Sequence, residues 1–158
     1  MIKCMFRLNG AGISTLSCPG IGFFPAYSGN PAQRNDPEQT AVKNIGPLPP
    51  GRYYIVSRPV GGLMYKQRDW LKSIVSGSDH AAWFALFRDD SLIDDTTFIE
   101  DVERGNFRLH PAGYQGTSNG CITFTSKSHF DILREALLKT PTTMVSPTMK
   151  AFGTVQVY

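Results

Sequence analysis

The chain has 158 residues, of which 41% are hydrophobic, a size and apolar content that suit a single domain spanning residues 1–158 around one core. Charged residues make up only 18%, and 15 Gly and 11 Pro interrupt the chain too often for long helices, which excludes a helical bundle and favours short strands joined by turns. The net charge of +3 comes from 16 Lys and Arg scattered along the chain, so no nucleic-acid-binding stretch stands out, and no run of about 18 apolar residues offers a membrane span.

Met1 to Ser17 reads as a hairpin, because apolar and polar residues alternate on both sides of "NGAG", and Asn-Gly is a strong turn signal. No apolar stretch of signal-peptide length follows Lys3, so Sec-type export is not expected. A turn centred on Ala11 sets Cys4 opposite Cys18. The two are either small buried thiols or a cross-strand disulfide in an oxidising compartment. Gly20 to Pro50 is rich in Gly, Pro, Asn and Ser and is expected to be a long shaped loop without regular helix or central strand.

"RYYIVSR", Arg52 to Arg58, is β-branched and aromatic and predicts a strand; "DWLKSIVSG", with a cap at Asp69 and a stop at Gly77, predicts a short helix. "WFALFR", Trp83 to Arg88, is too short for a buried helix and reads as a core strand closed by the turn "DDSLIDD". Phe107 and Leu109 alternate with Arg108 and His110. A strand there turns the first two to the core and presents the other two on the opposite face. Cys121 to Phe124 predicts another strand. After it comes a helix with Phe130, Leu133 and Leu137 on one face and Ser128 with Asp131 as a capping box. "PTTMVSP" interrupts the chain before a final strand over "GTVQVY".

His110 and Cys121 are the pair with chemical interest. A thiol reacts as thiolate, and with an ordinary pKa of about 8.5 it needs a base or a positive neighbour near neutral pH. His110 supplies both if the glycine-rich loop between them folds back, since the proton it takes leaves an imidazolium beside the sulfur. Gly120 leaves room for a substrate carbonyl, and the backbone N–H groups of Gly120 and Cys121 are candidate oxyanion donors. A structural His and a buried Cys explain the same residues taken alone. A zinc site built from His110, Cys121 and His129 lacks a second paired motif, so no metal is expected. His129 reads as a surface or capping residue. Arg108 either binds a substrate carboxylate by paired hydrogen bonds or is a solvated strand residue, and Asp94 and Asp95 either orient His110 or simply form a turn.

"HPAGYQGTSNGCIT" resembles the active-site signature of L,D-transpeptidase catalytic domains, in which a His precedes, across a loop, a Ser/Thr-x-Gly-Cys segment. Together with "FPAYSGN", "GPLPPGRYYI", "WFALFRDD" and "RGNFRLHPAG", it resembles the small type VI secretion effectors of the L,D-transpeptidase-like class, over about Gly20 to Phe124. The resemblance implies a mainly β (α+β) domain of sheets or a sandwich with about two short helices. It implies attack by Cys121 on the peptidoglycan stem carbonyl that precedes the terminal D-Ala, with His110 as base and Ser118 steadying His110 or the substrate. Water then resolves the thioester as an L,D-carboxypeptidase, or a D-amino acid resolves it by exchange, without any cofactor. Where many cell-wall L,D-transpeptidases carry a second His directly before Gly-Cys, this chain has Asn119, which weighs against crosslinking more than against thioester chemistry.

The same resemblance implies synthesis in the cytoplasm without a signal peptide, secretion by a carrier, action in the periplasm of target bacteria, and a cognate immunity protein. A papain-like amidase or endopeptidase is the enzymatic rival, although such enzymes usually place Cys before His at a helix start. A non-catalytic wall-binding module that uses the "SGNPAQRNDPEQT" loop is the rival of another class.

Overall fold

The computed structural model describes residues 1–58, 82–113 and 120–158. The chain opens on the expected hairpin, β1 (Ile2–Phe6) and β2 (Ser14–Cys18), with Met5 opposite Ser17 and Phe6 opposite Leu16. Extended by one residue, that register faces Cys4 with Cys18. The segment expected to be pure loop begins instead with a strand, β3 (Gly22–Tyr27), paired with β2 along its length. Phe24 and Ala26 point inward while Phe23 and Pro25 are exposed. Pro25 sits at an exposed position just before pairing with the next strand begins at Ala26, a setting in which a strand tolerates proline. Residues 28–50 form the shaped loop, with one 3-10 turn at Pro37–Gln39 capped by Asp36. Leu48, fully buried, fixes the loop to the core, and its N–H donates to Ser28 Oγ at 2.8 Å.

The strands β4 (Gly51–Ser57) and β5 (Phe84–Arg88) lie where the aromatic and β-branched runs predict them. A small hairpin follows, β6 (Thr96–Ile99) and β7 (Val102–Gly105), whose tight turn puts Glu100 and Asp101 both at positive φ. Then come β8 (Arg108–Pro111), β9 (Ile122–Phe124), the helix α1 (Lys127–Lys139), β10 (Thr143–Ser146) and β11 (Met149–Val157). The strand β10 occupies the segment read as an interruption, and β11 starts four residues before "GTVQVY". The cap of α1 is Ser126, not Ser128: its extended backbone lets its hydroxyl accept from His129 N. Asp131 pairs back to Lys127 at 2.9 Å instead of serving a capping box. The helix expected over Asp69 to Gly77 lies outside the described residues.

Nine strands form one sheet, in the order β1-β2-β3-β9-β8-β5-β4-β11-β10, and β1 also pairs with β11 in parallel, Ile2 beside Gly153 through Phe6 beside Val157. The sheet therefore closes on itself. Of the expected sheets or sandwich, the structure has a mainly β arrangement whose main sheet forms a barrel-like ring, with β10 attached outside it on β11. One edge of β11 is long enough to take β10 at its start and β1 at its end, so the ring closes through β1 while β10 lies outside it. Phe6, Leu16, Ile55, Leu109, Ile122 and Phe124 fill the interior, and Phe130, Leu133 and Leu137 of α1 pack into the same cluster. A smaller cluster around Tyr54, Val56 and Phe87 covers the outer face of β4, β5 and β11. Among the described residues, no helix is long and apolar enough to cross a membrane.

Candidate active site

The strands β8 and β9 run parallel, with Leu109 beside Ile122 and His110 beside Thr123. Leu109 and Ile122 belong to the interior, so strand alternation turns His110 and Thr123 to the outer face. Continuing the register one residue back sets Cys121 beside Arg108, on that same outer face. Cys121 immediately precedes β9, so this register makes it a diagonal neighbour of His110, although eleven positions separate them in sequence. Tyr27 of β3 also pairs with Thr123, which makes a row of Tyr27, Thr123 and His110 across three strands. Phe107 and Leu109 join the core and Arg108 and His110 do not, as the alternation predicts, but the outer face is covered: Arg108 is 4% and His110 6% exposed.

The imidazole of His110 is fixed from three sides. Its Nδ1 lies 2.7 Å from the carbonyl oxygen of Pro111, and because a carbonyl only accepts, Nδ1 carries the proton. In the neutral imidazole Nε2 then has the lone pair, 3.4 Å from Thr123 Oγ1. The ring of Trp83 stacks on the imidazole with centroids 4.1 Å apart and planes 18° from parallel. On the other side of the site, the Cys121 thiol makes a long contact of 3.9 Å to the Asn106 carbonyl. Gly120 has φ +96°, a left-handed conformation, and a Cβ there would lie 2.5 Å from Arg104 Nη2 and 2.8 Å from the Phe107 ring. Glycine is required there by both backbone and space.

Arg108 has a partner inside the protein. Its Nη1 and Nη2 donate to the two carboxylate oxygens of Asp95 at 2.8 and 2.7 Å, and Nη1 also donates to the Phe107 carbonyl. The paired hydrogen bonds expected for a substrate carboxylate are directed at Asp95 instead. Asp95 therefore braces Arg108, while Asp94 forms the turn, its Oδ1 accepting from Thr96 N at 3.0 Å. A polar cavity of about 280 Å³, bordered by Lys43, Asp95, Glu103, Arg104 and Asn106, opens beside the Asn106 carbonyl that faces Cys121.

Ser118 and Asn119 lie outside the described residues. His129 packs its ring against Phe24 of the interior cluster, on the opposite side of the sheet from His110. Among the described residues, no group of His, Cys, Asp or Glu is gathered closely enough to hold a metal ion. Sequence reasoning missed Thr123, Trp83 and Arg104. Thr123 was open to detection, since it lies two residues after Cys121 in a strand and must share its face; the other two reach the site only through tertiary packing.

The family model described as Tlde1 domain matches residues 22–149, most of the chain and all of the site just described. No match was found to a curated protein or to a solved structure.

Proposed function

This chain belongs to the Tlde1 domain family of type VI secretion effectors, and from that premise we propose that it is a cysteine L,D-carboxypeptidase or transpeptidase acting on peptidoglycan tetrapeptide stems. An effector of this kind is a secreted antibacterial protein with a cognate immunity protein. The site of action in our reading is the periplasm of the target cell. The observation that carries the chemistry is the parallel register of β8 and β9, which puts His110 next to the start of the strand that Cys121 leads into, with Nδ1 held by the Pro111 carbonyl so that Nε2 is the nitrogen left to act as base in the neutral imidazole.

The steps follow from that arrangement. Nε2 takes the thiol proton, and the sulfur attacks the carbonyl that precedes the terminal D-Ala. Negative charge gathers on the carbonyl oxygen, where the N–H groups of Gly120 and Cys121 serve as donors. Collapse of the tetrahedral intermediate breaks the C–N bond, and the imidazolium returns its proton to the D-Ala amine. His110 then deprotonates either water, which yields the tripeptide stem, or the amine of a D-amino acid, which restores a tetrapeptide by exchange. The Pro111 carbonyl holds the proton on Nδ1 throughout, and the stacked Trp83 keeps the ring in plane.

Incubation of the protein with tetrapeptide muropeptides, with and without an added D-amino acid, tests the reading by mass spectrometry. Loss of one D-Ala, or its replacement by the added residue, is expected, and Cys121→Ala and His110→Ala should each abolish it without loss of fold. Full turnover by Cys121→Ala would end this mechanism, and cleavage of an internal stem bond would favour an amidase or endopeptidase.

A further inference from the structure

Arg104 of β7 is a buried cation, 3% exposed, and its guanidinium forks onto three carbonyls of the loop that follows the 3-10 turn. Nη1 donates to Thr40 and to Pro47, the latter at 3.1 Å, and Nη2 donates to Gly46 at 2.8 Å. The same Nη2 lies against Gly120, so close that any side chain there would collide with it. The Phe107 ring sits below the guanidinium, 5.3 Å from centroid to Cζ. Among the described residues, no carboxylate pairs with Arg104, whereas the charge of neighbouring Arg108 is balanced by Asp95.

We propose that Arg104 is a positioning residue for the nucleophile: it clamps the 40–47 loop onto the Gly120 turn and supplies the fixed positive charge that favours the Cys121 thiolate. The inference rests on the reading of Cys121 as nucleophile. A cation held in a site of low water content stabilises a nearby anion more than it would in solvent. Burial lowers the pKa of Arg104, and Tyr53 and Cys121 oppose that lowering, which is the same attraction seen from the other partner. Among the described residues, the other titratable or charged groups on that face are His110 and the Arg108–Asp95 pair on β8 and its bracing turn, with Tyr27 one strand away on β3. Three carbonyls arranged as a fork suit a planar guanidinium and not an ammonium, which separates the clamp from the charge.

The test is the pH dependence of iodoacetamide labelling at Cys121, located by peptide mass mapping and free of any substrate. The wild-type midpoint is expected below the ordinary thiol value of about 8.5. Arg104→Gln should raise it by about one pH unit or more, as loss of one close opposite charge does. Arg104→Lys keeps the charge and loses the fork, so its midpoint should stay within about half a unit of wild type while its thermal midpoint falls. An ordinary wild-type midpoint, a folded Arg104→Gln protein with no change, or an Arg104→Lys protein with an ordinary midpoint would each overturn the proposal. D-Ala release, measured separately, reports on the nucleophile itself, so failure of the proposed reaction remains distinguishable from failure of the role given to Arg104.

Discussion

At the scale of the residue, the Pro111 carbonyl 2.7 Å from His110 Nδ1 holds the proton on that nitrogen, so a backbone atom orients the ring. The nearby carboxylate has another task. Asp95 spends both oxygens on Arg108, whose side chain is only 5% exposed while that of Asp95 keeps 33%. Removing one partner of such a pair leaves the other charge buried and unpaired, which is costlier than the pair itself is worth. Asp95→Asn is therefore expected to lower unfolding free energy by about 3 kcal/mol, the lower end for a broken buried pair because Asp95 is partly wet. Urea denaturation measures it, and a loss under about 1 kcal/mol would show that water already screens the pair. At this scale the sequence disclosed residue types and faces: Arg108 with His110, Phe107 with Leu109. It did not disclose partners, since Asp95 and Arg108 are thirteen positions apart and meet only because the turn after β5 folds over β8.

At the scale of the element, the first hairpin was readable to the residue, because a turn centred on Ala11 fixes the pairing of everything on either side. The Sγ atoms of Cys4 and Cys18 lie 2.6 Å apart and both residues are buried. Their mutual hydrogen bond, and then burial, push the Cys18 thiol up, so little thiolate is present at neutral pH and oxidation should be slow there and faster as pH rises. Oxidised glutathione, which takes two electrons as the two thiols lose their protons, is expected to join the pair. Peptide mapping after denaturation should then find Cys4 and Cys18 joined to each other; both remaining as thiols at alkaline pH would refute the pairing. Other elements were less legible. β3 was hidden because Gly22 and Pro25 outweigh the short alternation of Phe24 and Ala26. The β6–β7 hairpin turns on Glu100 and Asp101 at positive φ, where Asn and Gly would have announced it. The helix α1 was clear from Phe130, Leu133 and Leu137, but its cap lay two residues earlier than Ser128, since Ser126 alone has the extended backbone of a cap.

At the scale of the whole molecule, closure through the parallel pairing of β1 with β11 joins the first hairpin to the strand that also supports β4, and so ties both ends of the described chain into one ring. A chain ended at Gly153 loses the partners of Lys3 to Phe6 on one side and of Gly51 to Tyr54 on the other. We expect it to lose its cooperative thermal transition in near-ultraviolet circular dichroism; a sharp transition close to that of the full chain would mean that the ring need not close. The site depends on this frame, because β9 has only three residues and holds Thr123 against both β3 and β8. By itself the sequence determined the class of the fold, a mainly β domain with short helices, and singled out the two residues proposed to carry the chemistry, because alternation, turn residues and a His–Gly–Cys spacing are local properties of the chain. Only the tertiary structure decided that the sheet closes, that Asp95 occupies Arg108, that Trp83 and Thr123 flank His110, and that Arg104 stands behind Gly120. Each of these joins segments distant along the chain, and such contacts are set by which strand edges pair and which faces are covered, quantities that no local pattern encodes.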